Sequence, residues 1–285
     1  MSGVLGIGVP TLDIYPKQKR MYPGGNEYNV VCNVKKHGLR AGFLGVFGND
    51  KAGKILEDTL KQMDVDVSFC HHEIGSSGYS IVELKEDGDR IFLEWNQKGV
   101  ADLYPILVDT QEELEYVKSF DVLSIGRLCN LPKDRIQFLK ENGVSICYDF
   151  HATFSDKTIK EIAPFIDYAF FSCSHLNESE IKDTLKFAIE HGCKIAIGTR
   201  GKEDVICFDG KQFYRQPTQN VHVLDALGAG DSYIASFLSN YIQSQDIPLS
   251  LYKATLHSAK VVQIEGSIGI GYDIDFDDIK DIVNK

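Results

Sequence analysis

Asp225-Ala226-Leu227-Gly228-Ala229-Gly230-Asp231 runs directly into Ser232-Tyr233-Ile234-Ala235-Ser236-Phe237-Leu238: a Gly-rich turn, a carboxylate, then an apolar helical pattern. A short strand at Val221 to Leu224 is expected just before it. The start of a helix offers unpaired backbone N–H groups and a partial positive charge, and so attracts anions. Gly228 and Gly230 let the backbone approach such an anion closely. Asp231 would then lie beside a bound phosphate, where a carboxylate suits the handling of a proton. This points to phosphoryl transfer to a hydroxyl with Asp231 as base. The same residues also read as an ordinary turn with an N-capping Asp.

The chain has 285 residues, 43% hydrophobic and 25% charged, which is globular composition with length for one large core. A net charge of -11 and the lack of a polybasic run argue against nucleic acid or an acidic membrane as partner. An acidic protein can still bind ATP, because backbone donors and Mg2+ offset the phosphate charge. The seven cysteines (Cys32, Cys70, Cys129, Cys147, Cys173, Cys193 and Cys207) are scattered through apolar runs without a C-x-x-C pair. They read as reduced, buried thiols of a cytoplasmic protein. The N-terminus lacks the basic and apolar regions of a signal peptide, and no run approaches the 18 or so apolar residues of a membrane span.

Strand-like runs alternate with amphipathic helical ones. Strands are expected at Phe43 to Phe47, Val122 to Ile125, Val144 to Tyr148, Ala169 to Phe171 and Ile195 to Ile197. Helices are expected at 54–63, 111–118, 133–141, 157–163 and 178–191, then at 232–241, 249–264 and 277–283. The alternation predicts an α/β fold, a mainly parallel sheet covered by helices on both faces. One block departs from it: Gly78 to Leu84 and Arg90 to Trp95 flank an Asp-Gly turn and read as an exposed hairpin. Joined by Leu12 to Tyr15, it would form a small β lid.

Gly48-Asn49-Asp50-Lys51-Ala52-Gly53-Lys54 fits seven positions of a P-loop, but Ile55 stands where Mg2+ needs a hydroxyl. Gly24-Gly25-Asn26-Glu27-Tyr28-Asn29 opens a helix ending near His37, with Asn26 a possible N-cap and Asn29 able to bond a hydroxyl. Asn177-Glu178-Ser179-Glu180 opens another helix. It reads either as a favourable acidic turn or as a water-mediated Mg2+ site. Thr199-Arg200-Gly201-Lys202 reads as a plain turn or as a phosphate or ribose contact. No histidine spacing suggests zinc.

Taken in order, Leu12-Asp13, Gly24-Gly25 with Asn29, Gly48-Asn49-Asp50, the hairpin, Asn177 with Glu180, Thr199-Arg200-Gly201 and the Asp225-to-Asp231 element resemble the PfkB, or ribokinase-like, carbohydrate kinase family. The resemblance runs from about Val4 to Gly271. It implies a single ribokinase-like domain over 1–285: a three-layer α/β/α fold with β-lid segments at about 11–23 and 71–100. By this resemblance Asp231 is the base, and the backbone of Gly228, Ala229 and Gly230 is the anion hole. Asp13, Gly24, Gly25 and Asn29 would bind substrate. Thr199, Gly201, Asn177, Glu180 and Asp225 would lie on the ATP side, with Glu180 reaching Mg2+ through water and a monovalent cation such as K+ near the loop that begins at Asp225. Ala226, Asp204 and Ser236 depart from the residues usual there.

Within the family the chain looks most like bacterial fructoselysine 6-kinases, through Leu12-Asp13-Ile14-Tyr15-Pro16, Pro23-Gly24-Gly25-Asn26, Tyr148-Asp149-Phe150 and Asp167-Tyr168-Ala169-Phe170. An acidic group would suit the ammonium of a sugar-amine substrate. Glu27, Glu94 and Asp149 are candidates, with Arg90 and Arg127 equally able to face the pocket. The expected activity is ATP-dependent phosphorylation of a primary hydroxyl. Alternatives are a kinase for another sugar, for 2-keto-3-deoxygluconate or for a nucleoside, or a catalytically silent sugar binder. The apolar Ile91, Leu93 and Trp95 predict a homodimer through the lid.

Overall fold

The computed structural model describes residues 2–85, 90–95 and 99–274. Along the chain the strands are β1 (Gly3–Ile7), β2 (Thr11–Tyr15), β3 (Arg20–Gly24), β4 (Arg40–Leu44), β5 (Val46–Gly48), β6 (His71–Glu73), β7 (Gly78–Leu84), β8 (Arg90–Trp95), β9 (Val122–Gly126), β10 (Ile146–Asp149), β11 (Tyr168–Ser172), β12 (Ile195–Arg200), β13 (Glu203–Phe208), β14 (Phe213–Gln216) and β15 (Tyr272–Asp273). The helices are α1 (Asn26–Lys36), α2 (Lys51–Gln62), α3 (Val100–Leu103), α4 (Gln111–Lys118), α5 (Lys133–Glu141), α6 (Asp156–Ile162), α7 (Glu178–Glu190), α8 (Ala229–Ser244) and α9 (Ile247–Val261). The expected 277–283 helix and residues 86–89 of the hairpin turn lie outside the described residues.

An eight-stranded sheet has the order β14-β13-β12-β11-β10-β9-β1-β4. It is parallel from β12 to β4, with β13 and β14 antiparallel at one edge. Successive residues of its strands feed opposite cores, as a period of two requires. Val4, Cys147, Phe170, Ile197 and Cys207 pack on one face with α1, α2, α8 and α9. Leu5, Ile146, Phe171, Ala196 and Ile206 pack on the other with α4 to α7. The chain leaves β1 for β4 on one side and returns to β9 on the other. A topological switch point therefore lies between β1 and β9, and open α/β sheets bind ligands at the carboxyl ends of such strands.

A second sheet has the order β15-β3-β2-β7-β8. Its hairpin β7–β8 is antiparallel, and β2 joins β7 in parallel register. Within 71–100, residues His71–Glu73 belong to neither large sheet and pair with β5. Leu12, Ile14 and Met21 of the second sheet share a core with α1 and α2.

Two expected elements change. Phe43 to Phe47 is not one strand. It breaks at Gly45, where a Cβ would collide with the Phe43 ring, and the chain crosses to pair with β6. Val221 to Leu224 forms no strand: the N–H groups of Leu224 and Asp225 bond the Val262 carbonyl, 2.8 and 3.2 Å, at the end of α9. The P-loop-like stretch is a capped helix start. Asp50 accepts from the Gly53 N–H at 2.8 Å and from the Ser77 hydroxyl and N–H, both at 2.9 Å, so side chains already fill that N-terminus. No described helix is long and apolar enough to cross a membrane. Six of the seven free cysteines are buried.

Asp167, at the foot of β11, ties three segments together. It is 1% exposed and accepts from the Ile146 N–H (2.9 Å), Lys140 (2.6 Å) and Lys194 (2.8 Å). Burial alone would raise its pKa. The two ammonium groups and the N–H outweigh that and hold it below the ordinary aspartate value. Lys194 is mostly exposed and adds little, so Asp167→Asn should cost about 1–3 kcal/mol in urea unfolding at neutral pH. The folded pKa is depressed. The contribution is therefore complete above the unfolded value of about 3.9 and is lost as pH falls through the folded one, and the gap between wild type and variant should close there.

Candidate active site

The Asp225–Asp231 turn is held by its first residue. Asp225 is fully buried. One oxygen accepts from the Leu227 N–H at 2.9 Å, and the other from the Tyr15 hydroxyl at 3.0 Å and the Gly266 N–H at 2.9 Å. Leu227 is buried against Tyr15, Tyr22 and Val82 of the second sheet. Gly228 takes a left-handed conformation (φ 71°), and a Cβ there would run into Ser267. Space over Gly230 is open. The first-turn N–H groups of α8 have no acceptors within the helix. The Ala229 N–H makes only a long bond, 3.3 Å, back to the Ala226 carbonyl.

Asp231 follows, 6% exposed, with its carboxylate bonded by Asn29 Nδ2 at 2.8 Å and Asn26 Nδ2 at 3.3 Å. Asn26 is the first residue of α1 rather than its cap, because Gly25 takes the cap position and frees the Asn26 amide for Asp231. Asn29 accepts from the Ser267 hydroxyl and is thereby oriented. Burial raises the Asp231 pKa to about 6; the Asn29 bond opposes the rise and nearby Asp149 adds to it.

Asp13, Gly25, Asn26, Asn29, Asp149, His151 and Asp231 line one cavity of about 280 Å3. Gly24 stands just behind it, where a Cβ would meet the Asp13 carboxylate. Asp149 ends β10, and burial raises its pKa against the pull of His151. His151 is a member that sequence reading missed. It has φ 55°, its N–H and Nδ1 face the Asp149 carboxylate at 2.8 and 3.4 Å, and its buried Nε2 has no partner among the described residues. Its one signal is position, two residues past an acidic strand end.

A second cavity, of about 660 Å3, is lined by Thr199, Gly201, Lys202, Asp204, the 218–223 segment and the first residues of α8. Gly230 lines both cavities, so Asp231 stands at their junction. Asn177 and Glu180 line neither of them. They form a capping box on α7: Asn177 Oδ1 accepts from the Ser179 and Glu180 N–H groups, and Glu180 returns a bond to the Asn177 N–H at 2.8 Å.

A third cavity, of about 700 Å3, adjoins the first and shares Thr11, Gly25, Asn26, Ser80, Phe92 and Leu128 with it. Glu27, Trp95 and Arg127 also line it. Of the acidic candidates, Glu27 and Asp149 face cavities. Glu94, on β8, lines none of the three cavities and accepts from the Tyr79 hydroxyl at 3.4 Å.

Residues 6–272 match the pfkB family of carbohydrate kinases. The chain is 33% identical over 269 residues to the fructosamine kinase of Bacillus subtilis, covering 94% of each chain. It is 29% identical over 267 residues to the fructoselysine 6-kinase of Escherichia coli, covering 94% of this chain and 100% of that one. Among solved structures, the ribokinase of Arabidopsis thaliana complexed with ribose and ATP aligns over the whole of both chains with a TM-score of 0.80 at 19% identity. A putative ribokinase II from Escherichia coli in complex with ATP and Mg2+ aligns as completely, with a TM-score of 0.78 at 17% identity. At those identities the two structures bear on the fold, which is ribokinase-like. With the family match running from within β1 to the last strand of the second sheet, the chain belongs to the pfkB family of carbohydrate kinases.

Proposed function

We propose that the enzyme transfers the γ-phosphoryl group of ATP to the primary hydroxyl of a fructosamine of the fructoselysine type, with Asp231 as the base. The observation that carries this reading is the placement of a buried, raised-pKa carboxylate at the junction of two cavities, under open space at a helix start. The sugar hydroxyl gives its proton to Asp231. Its oxygen attacks the γ-phosphorus in line, and ADP leaves. First-turn N–H groups of α8 at Gly230 and beside it stabilise the charge on the transferred oxygens. Asp13 and Asn29 hold sugar hydroxyls, and Thr199 and Gly201 border the nucleotide. The relatives' names supply the substrate class.

Among the described residues no group of three or more His, Cys, Asp or Glu side chains is placed to hold a metal ion. Mg2+ would accompany the nucleotide phosphates in this reading and offset their charge; Glu180, the residue expected to reach it through water, lies in the α7 capping box and lines neither cavity. A K+ near the loop that begins at Asp225 would adjoin a carboxylate whose oxygens already accept three hydrogen bonds. The mostly buried cysteines fit a reducing cytoplasmic setting.

Homodimerisation through the lid is the remaining part of the proposal. Strand β8 is an edge, with Ile91, Phe92, Leu93 and Trp95 between 43% and 56% exposed. A second copy docking there should give light-scattering mass near twice 31.9 kDa, and a single species at 31.9 kDa would refute it.

In a coupled ADP-release assay, fructoselysine and related fructosamines should be turned over in preference to fructose, ribose, 2-keto-3-deoxygluconate and adenosine. Preference for another compound would move the substrate and keep the mechanism. Asp231→Asn should lower kcat by about 10²–10⁴-fold, and near-normal turnover would remove Asp231 from its role. The base works as the carboxylate, so kcat/KM should rise with pH through about 6. Asn29→Ala removes a bond that favours the carboxylate and should move that limb to higher pH.

A further inference from the structure

Glu27 has no part in the phosphoryl transfer just described, yet its carboxyl is among the most enclosed in the protein. It is the second residue of α1 and is 3% exposed. It lies at the switch point of the main sheet, between the residues that follow β1 and close β9. A Cβ at Gly8 would collide with its Oε2, and one at Gly126 would come within 2.9 Å of its Oε1. These two glycines leave the room it occupies.

Its surroundings lack a positive charge to match. Among the described residues its one hydrogen bond is with its own backbone, and no ion pair reaches it. The charges that act on it are those of Asp231 on α8 and Asp149 after β10. Cys129 and Tyr148 lie close by. Arg127 lines the same cavity but donates to the Thr153 hydroxyl. Burial and the two aspartates push the Glu27 carboxyl above the ordinary glutamate range.

The cavity explains what such a group could meet. It continues from the sugar cavity past Asn26 and Phe92, and beyond those shared residues its walls include Glu27, Trp95 and Arg127. A sugar with its primary hydroxyl at Asp231 therefore sends its other end toward Glu27. We propose that Glu27 is a specificity-determining residue: it pairs with a protonated secondary amine at the end of the sugar remote from the phosphorylated hydroxyl, while Trp95 covers the chain beyond that nitrogen. This rests on the kinase reading above and names the group within it that selects the substituent. A cation beside this enclosed carboxyl favours its ionised form, and the resulting pair is worth far more there than in water.

The probes are fructoselysine and plain fructose, with Glu27→Gln as the near-isosteric variant. The ratio of kcat/KM for fructoselysine to that for fructose should fall about 10²-fold in Glu27→Gln, mostly through KM, and Glu27→Asp should restore part of it. Equal loss on both sugars, or an unchanged ratio, overturns the proposal and leaves Glu27 as filling between the glycines. Calorimetry in buffers of different ionisation enthalpy reads the same residue without turnover. Wild type should release more protons on binding fructoselysine than on binding fructose, and Glu27→Gln should lose the difference. The fructose arm subtracts whatever Asp231, Asp149 and His151 contribute. Absence of turnover on every sugar would count against the kinase reading, whereas the proton count and the fructoselysine Kd would still decide the role of Glu27.

Discussion

The buried carboxylate of Asp225 is the joint on which the site depends. Its three hydrogen bonds come from the lid strand β2, from the turn that opens α8 and from the segment after α9. Without it the Gly228–Gly230 backbone would have no fixed position relative to Asp13 or Asn29. Catalysis by oriented N–H groups needs that position within a fraction of an ångström. A neutral side chain in its place would leave buried donors unmatched, at about 1–3 kcal/mol each. Leu227, two residues on, adds an apolar anchor against Tyr15 and Tyr22.

Around that joint the electrostatics are lopsided. Asp231 and Glu27 are buried and Asp149 partly so, and all three have raised pKa values. Their neighbours are amides and one histidine. Asn26 and Asn29 stabilise the Asp231 carboxylate without neutralising it, so it remains basic enough to take a proton. In the mechanism proposed above, such a site suits a cationic acceptor, and phosphates bound on the other side of Gly230 would bring their own counter-charge.

Much of this was readable from residue types. Strand and helix alternation marked the layered sheet, because a parallel strand buried on both faces must be apolar throughout. Asp231 and Asn29 stood out as polar groups near glycines at helix starts, whereas Asp13 and Asp149 entered only through the resemblance to the family. Other features depended on partners far away in sequence. Nothing local shows that Val221 to Leu224 loses its strand to a helix carbonyl, or that Gly45 divides β4 from β5. Asn177 and Glu180 make a sequence-local capping box whose hydrogen bonds are plain in the fold, while a role at Mg2+ has no local signature. The choice among Glu27, Glu94 and Asp149 needed the direction of each side chain. Glu94, on a strand, lines no cavity, and Glu27, on a helix, lines one. His151 was hidden because its role comes from a left-handed backbone beyond the strand, and periodicity does not register that.

The second sheet is more than a cover laid over a finished pocket. Asp13 sits on β2, and β3 leads through Gly24 and Gly25 straight into α1, which carries Asn26 and Asn29. A swing of that sheet away from the main body would take Asp13 with it and pull on the amides that hold Asp231. The acceptor site and its enclosure would come apart together. With the sheet displaced, a nucleotide in the other cavity would face water but no assembled base, and wasteful hydrolysis would be suppressed by the covalent path of the chain itself.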